Sequence, residues 1–387
     1  MRSFAAAENI GEFWDNLEAG RDCVTVGPRG RWNVDDFFDP DQDAPGKTYS
    51  HWGGFIDDVD LFEPAFFGIS ARECHSMDPQ QRLFLECAWE AMEDAGVVPG
   101  TLKEQPVGVF LGIQNYDYYR LIGIAGHADE MDAYFGTGNS HSCAVGRLSF
   151  ILGVKGPSVP VDTACSSSLV AVHLAVQSLR SGESNLAFAA GVNMMLAPEI
   201  NVNLCKAHML SPDGRCHTYS ADANGYVRAE GCGVTLLKPL NAALKDNDRI
   251  HAQVIGSAVN HDGASSGLTV PSGPAQTQVI SAAQQSANIK PDDVSNIESH
   301  GTGTKLGDPI EITSLCSVFE GRKANRPLVI GTVKTNIGHA ESAAGIAGIT
   351  KAVLSLEKGR IPKHLHMTKL YDASSAHACL TLPTCFR

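Results

Sequence analysis

Val159-Pro160-Val161-Asp162-Thr163-Ala164-Cys165-Ser166-Ser167-Ser168 turns an apolar run into a helix of small residues. Val159 to Val161 reads as a strand, and Ser167 to Leu179 as a helix that stops at Gly182. The sulfur of Cys165 then stands at a helix N-terminus, where backbone N–H groups and the helix dipole favour a thiolate. Its pKa is expected to fall below the ordinary thiol value of about 8.5. Thiolates attack thioesters readily, so a covalent acyl-enzyme is the natural intermediate. A lone cysteine would read as a buried structural group; the serine run and the strand–turn context favour a nucleophile.

Two later stretches complete a toolkit for carbon–carbon bond formation on thioesters. They are Glu298-Ser299-His300-Gly301-Thr302-Gly303-Thr304 and Lys334-Thr335-Asn336-Ile337-Gly338-His339. Two neutral imidazoles, His300 and His339, can donate hydrogen bonds to a thioester oxygen as it becomes an enolate, and one can also move a proton or activate water. The adjacent glycines allow tight loops that aim the rings. Lys334 is read as a supporting group that orients an imidazole or pairs with Glu341.

An internal echo links the first stretch to the last. Ala175-Val176-Gln177-Ser178-Leu179-Arg180-Ser181-Gly182 matches Ala352-Val353-Leu354-Ser355-Leu356-Glu357-Lys358-Gly359 at Ala, Val, Ser, Leu and Gly. Each copy ends a helix that follows an apolar strand, Val159 to Val161 or Leu328 to Val333. Strand–turn–helix thus occurs twice, as in a duplicated fold whose halves meet at the active site. A boundary near 240–250, after Lys238-Pro239-Leu240, separates them. Further helices are expected over Ile10 to Leu17 and Pro79 to Ala95, and strands over Val107 to Leu111, Val234 to Leu237 and His251 to Ala258. Alternating strands and helices imply a layered α/β fold.

Composition bounds the function. The 387 residues are 43% hydrophobic and 19% charged, enough for a large buried core. A net charge of -13 argues against nucleic acid as a partner. The 11 cysteines include no CxxC pair and read mostly as small buried hydrophobes in a reduced compartment. No run of 18 apolar residues suggests a membrane span. The N-terminal Met1-Arg2-Ser3-Phe4-Ala5-Ala6-Ala7 is a poor secretory signal. The expected setting is the cytoplasm, with a plastid also compatible.

The three stretches resemble the β-ketoacyl synthase family, specifically the ketosynthase domain of type I polyketide synthases. The likeness extends to Met77-Asp78-Pro79-Gln80-Gln81-Arg82, Gly156-Pro157-Ser158-Val159, Ser211-Pro212-Asp213-Gly214-Arg215-Cys216 and Gly225-Tyr226-Val227-Arg228. It runs from about residue 12 to 369. The resemblance implies an α/β, thiolase-like fold: two pseudo-duplicated βαβαβ-type halves in a layered α-β-α-β-α core. It implies an N-terminal half over 1–242 carrying the nucleophile and a C-terminal half over 243–369 carrying both histidines and the lysine. It also implies a homodimer. Cys165 would take an acyl chain from an acyl carrier protein, with its backbone N–H as one oxyanion donor. His300 and His339, supported by Lys334, would serve decarboxylation of a malonyl-type extender. The product of this decarboxylative Claisen condensation is a β-ketoacyl chain, in polyketide or fatty acid biosynthesis. No cofactor is expected on this chain, because the phosphopantetheine arm belongs to the carrier protein. Acyltransferase and reductase activities would come in trans or from further sequence.

The likeness breaks at both ends. The family opens with a strand of the type Ile-Ala-Ile-Val-Gly-Met, and this chain starts just past it. The family closes with a Ser-Phe-Gly-Phe-Gly-Gly-Thr-Asn loop that gives an oxyanion N–H; here the match stops near Lys369-Leu370, leaving 370–387 as a divergent tail and a candidate for disorder. Ser299, Ala340 and Ser342 stand where the family more often has Ala, Leu and Ala, a volume change expected to cost about 1–3 kcal/mol if it overpacks the site. The competing reading is a non-catalytic, truncated homologue that only dimerises or binds carrier protein. A thiolase would replace the second histidine by cysteine, and a papain-like protease lacks its Cys-Gly-Ser-Cys-Trp stretch here.

Overall fold

The computed structural model describes residues 4–28, 30–123, 131–322, 326–370 and 380–383. Two sheets carry the architecture. In the first, β1 (Val107–Gly112) pairs in parallel with β2 (Ser158–Val161) and β3 (Leu186–Asn193), and β4 (Gly231–Leu237) closes the order β2-β1-β3-β4 antiparallel to β3. Pro160 lies in β2, at the sheet edge, where a missing N–H leaves no central ladder broken. In the second sheet, β5 (Asn296–Glu298), β6 (Leu328–Gly331) and β7 (Leu380–Thr381) run parallel in that order.

Strand periodicity sorts the first core. Val107, Val109 and Leu111 of β1, with Phe188, Ala190 and Val192 of β3, share a cluster with Phe84, Leu85 and Met92 of helix α1 (Pro79–Asp94). The alternate residues Phe110, Ala187 and Ala189 join Ala171, Ala175, Ala343, Ile346 and Ala347. Those last residues belong to α2 (Ser167–Ser181) and to α4 (Ala344–Lys358) with the turn before it. Small side chains on that strand face let the two central helices approach closely, while each buried Val, Leu or Phe stabilises the fold by about 1.5–3 kcal/mol. Beyond the second sheet, α3 (Gly307–Val318) packs Ile312 and Leu315 with Leu328 and Ile330. The layers are helix, sheet, central helix pair, sheet and helix: the five-layer thiolase-like arrangement.

The central helices share one design. Each has 15 residues, follows a three-residue 3-10 turn (Ala164–Ser166 and Glu341–Ala343), and ends at a left-handed glycine, Gly182 or Gly359. They meet at their starts, where the Ile346 N–H donates to Ser168 Oγ at 3.1 Å.

One expectation needs correction. His251 to Ala258 forms no strand, and no main-chain pairing engages it among the described residues. It is held by side chains instead: Arg180 Nη2 donates to Ile255 O at 3.2 Å, and His173 Nδ1 meets Ser257 Oγ at 2.9 Å. β-propensity marked the segment, yet a strand exists only with a neighbour. Within the tail, residues 380–383 are described. Leu380 and Thr381 lie in register with Leu328 and Val329, and the His364 N–H donates to Pro383 O at 2.7 Å. Residues 1–3, 371–379 and 384–387 lie outside the described residues.

Candidate active site

Cys165 sits in the turn before α2, half-buried, directly after Ala164, whose φ of 54° is unusual for a residue with a side chain. The Ala164 N–H donates to Asp162 Oδ1 at 3.1 Å and the Thr163 N–H to Ser167 Oγ at 2.9 Å, which fixes the turn. Among the described residues no other residue accepts the Cys165 N–H.

The second half brings its imidazoles to the sulfur. His339 Nε2 is 3.1 Å from Cys165 Sγ, and the His300 ring stands 5.5 Å from that of His339 at nearly a right angle. The three residues predicted from separate stretches form one cluster. The Glu341 N–H donates to His339 Nδ1 at 2.9 Å. A neutral imidazole has one proton, so it sits on Nε2 and points at the sulfur. The His339 main chain is held on both sides, its N–H donating to Val227 O at 2.6 Å and its carbonyl accepting from the Ala229 N–H at 2.8 Å.

Electrostatics keep this site uncharged. Burial pushes the His339 pKa well below the usual imidazole range, and the charges of Lys334, His300 and Arg228 add to that. His300 also shifts downward, from its crowded setting first and Lys334 second, although part of its surface opens to solvent. The Cys165 thiol runs against expectation. Burial and the Glu341 carboxylate push it up to about 11, with Lys334 opposing. The helix N-terminus is outweighed because the sulfur lies in the 3-10 turn, away from water and near a carboxylate.

Lys334 is buried behind the cluster, and its own charge is disfavoured by that burial, then offset by Glu298 and Glu311. It does not pair with Glu341, as the sequence had suggested. Arg228 takes that carboxylate in a two-pronged contact, Nε to Oε1 at 2.6 Å and Nη2 to Oε2 at 2.8 Å.

Sequence reasoning missed the supports of the His300 loop. Gly301 and Gly303 adopt left-handed φ of 45° and 80°. Glu311 on α3 accepts from the N–H groups of His300 (2.7 Å) and Gly301 (2.8 Å) and from the Tyr219 hydroxyl (3.0 Å). Asp308 accepts from the N–H groups of Tyr219 and Gly303 at 2.7 and 3.1 Å. Burial raises the Asp308 pKa to about 7, against the pull of those donors. The signal was present as Gly307-Asp308-Pro309-Ile310-Glu311, two acids one helical turn apart just after the loop. Ser299 and Ser342 do not overpack the site: their hydroxyls donate to Gly331 O (3.0 Å) and Val192 O (2.5 Å). Ala340 is fully buried. Among the described residues no group of three or more His, Cys, Asp or Glu is arranged to hold a metal.

Comparison with known proteins identifies the family. The family model for the β-ketoacyl synthase N-terminal domain matches residues 2–243, and that for the C-terminal domain matches 251–368. The chain belongs to the β-ketoacyl synthase family, as a ketosynthase domain of the type I polyketide synthase kind. It is 49% identical over 375 residues to one subunit of the phenolphthiocerol/phthiocerol polyketide synthase of Mycobacterium tuberculosis, covering 96% of this chain and 20% of that protein. Another subunit of the same synthase is 48% identical over 365 residues, covering 94% of this chain and 23% of the relative. The chain thus spans about a fifth of the length of these relatives. Among solved structures, the oxazolomycin ketosynthase domain KS7 of Streptomyces albus JA3453 superimposes with a TM-score of 0.94 at 41% identity, over 99% of this chain and 66% of that one. The module 6 ketosynthase of the Bacillus subtilis 168 bacillaene synthase gives 0.91 at 38%, over 100% and 65%.

Proposed function

We propose that this domain catalyses decarboxylative Claisen condensation between an acyl group on Cys165 and a malonyl-type extender on an acyl carrier protein. The observation that carries this reading is the Cys165–His339–His300 cluster, with His339 fixed as a hydrogen-bond donor toward the sulfur. In the first step the sulfur attacks the acyl thioester carbon, the bond to the carrier's sulfur breaks, and the thiol proton leaves with that sulfur. The nucleophile is the thiolate, so the Cys165 proton must leave as the new bond forms, and the departing carrier sulfur takes it up without net proton transfer. The Cys165 N–H, which no other described residue accepts, would steady the oxyanion.

In the second step the extender's carboxylate bond breaks and carbon dioxide departs. The electron pair moves onto the thioester oxygen, where His300 and His339 donate. Keeping both rings neutral leaves their N–H groups as donors rather than acids. The enolate carbon then bonds to the acyl carbon, the bond to Cys165 breaks, and the thiolate takes a proton from water. The chain emerges as a β-ketoacyl thioester two carbons longer. Lys334 acts here through its charge, which holds the imidazoles neutral. The phosphopantetheine arm comes with the carrier protein, and this chain supplies no cofactor of its own.

A homodimer fits the outer face of the first sheet. Among the described residues β2 is an unpaired edge, and beside it Phe150 is 86% exposed, with Tyr116 and Tyr119 also open. A second copy of the chain would cover these residues. Among the described residues no helix is long and apolar enough to cross a membrane, and a cytoplasmic setting suits the reaction.

Intact-protein mass spectrometry after incubation with an acyl thioester tests the reading. One acyl adduct is expected, absent in Cys165→Ala. Adducts that persist in the variant overturn the nucleophile; a folded wild type that takes none overturns the activity.

A further inference from the structure

Beneath the imidazoles lies an ion pair that the reaction above does not use. Arg228 is 1% exposed and Glu341 4%. The guanidinium grips both carboxylate oxygens, and its remaining nitrogen donates to Asn201 Oδ1. Asn115 Nδ2 lies 3.5 Å from Glu341 Oε2 on the other side. A buried ion pair is weak evidence for stability, because an apolar pair of the same volume usually serves as well. Its use here calls for a reason in geometry.

That reason is the backbone of Glu341. Its φ of 44° is left-handed, a conformation that a residue with a side chain holds only when its surroundings enforce it. The same residue's N–H occupies His339 Nδ1. Arg228 also sits between the two residues that grip the His339 main chain, Val227 and Ala229. One residue therefore braces His339 from behind and clamps the residue that sets its tautomer. If Glu341 relaxed, its N–H would swing off Nδ1, and the ring could carry its proton on either nitrogen.

We propose that Arg228 is a positioning residue: through its fork on Glu341 it locks His339 as the Nε2–H donor. This rests on the ketosynthase reading of the site, in which that donor serves the enolate. Arg228 itself touches neither sulfur nor substrate.

The test uses the full chain with nitrogen-15-labelled histidine and two variants. Arg228→Lys keeps the charge and loses the fork. Arg228→Met combined with Glu341→Gln removes both charges, so no lone buried charge is left to unfold the protein. In the wild type the His339 signals should show a protonated Nε2 and a bare Nδ1. Both variants should give mixed tautomers, and release of carbon dioxide from a malonyl thioester should fall on the order of 10²-fold, as misplacement of a reacting group commonly costs. Acylation of Cys165, read by mass spectrometry, should fall far less. A fixed tautomer with undiminished decarboxylation in Arg228→Lys overturns the proposal, whether or not the double variant folds. So does an equal loss of both steps with unaltered spectra, which would mark a mere scaffold. A wild type that decarboxylates nothing defeats the ketosynthase reading alone; the nitrogen spectra still decide on Arg228.

Discussion

Ala164 and Glu341 open the same turn in the two halves of the molecule. Both have left-handed φ, 54° and 44°, and both lead through a 3-10 turn into a 15-residue helix. Each donates its N–H to the side chain two residues back: Asp162 Oδ1 in the first half, His339 Nδ1 in the second. Asp162 and His339 are therefore equivalent positions, and so are Cys165 and Ser342. The chemistry is divided between them. The first turn has an exposed carboxylate as its cap and carries the proposed nucleophile. The second makes the cap itself the ring that faces the sulfur and buries Ser342 against Val192 O. The second turn reaches the sulfur through its cap, because a histidine that accepts the N–H with one nitrogen has a second nitrogen to point elsewhere.

The largest effect should come from treating the two caps alike. Asn can accept the N–H in either turn but is too short to reach the sulfur. His339→Asn should lower decarboxylation by about 10²–10⁴-fold, the usual worth of a placed imidazole. Asp162→Asn should leave it nearly unchanged. Carbon dioxide release from a malonyl thioester measures both, and equal losses would break the comparison.

A smaller effect should follow from pressing the turns apart. Gly191, on β3, lies under both. A Cβ there would stand 2.5 Å from Ser168 Cβ, 2.9 Å from Ser342 O and 3.1 Å from Ala343 Cα. Gly191→Ala should destabilise the protein by about 1–3 kcal/mol, as overpacking does, and slow acylation of Cys165 as well. Urea unfolding reads the first and mass spectrometry the second. Full stability in the variant would mean that the turns are free to part.

The duplication was legible because local spacing carries it: the Ala-Val-Ser-Leu-Gly echo marks the ends of the two central helices, and the starts sit at matched positions. The site was legible because each member lies in a short stretch of unusual composition. What escaped depends on contacts far along the chain. Arg228 takes Glu341 from 113 residues away, so the shorter-range pairing with Lys334 looked natural. The Cys165 pKa turned on the same carboxylate and on burial, neither visible from a helix start. Asp308 and Glu311 looked like ordinary acids of a first helical turn, and only the folded loop gives them N–H groups to hold. His251 to Ala258 had the composition of a strand but not the neighbour.

The seam between the halves offers the mildest test. His251 holds Glu357 Oε1 with Nδ1 at 2.5 Å and Asp94 Oδ2 with Nε2 at 2.8 Å. It thus ties the C-terminal end of α1 to that of α4, and Arg249 shares Asp94 at 3.4 Å. Both nitrogens can donate only in the imidazolium. Burial alone would lower the His251 pKa, but the hydrogen bonds and charges of Glu357 and Asp94 more than offset it, and the net shift is upward. A folded pKa above the unfolded value of about 6.5 gives stability that is fully present below that pH and is lost as pH rises through the folded value. With a third of the ring exposed, water screens the pair, and the contribution is at most about 1 kcal/mol. His251→Gln should therefore lower Tm at pH 6 and leave it almost unchanged at pH 9, so that the wild-type and variant curves converge as pH rises. Parallel curves would mean that the clasp carries no charge of its own and that the halves are joined by the central helices alone.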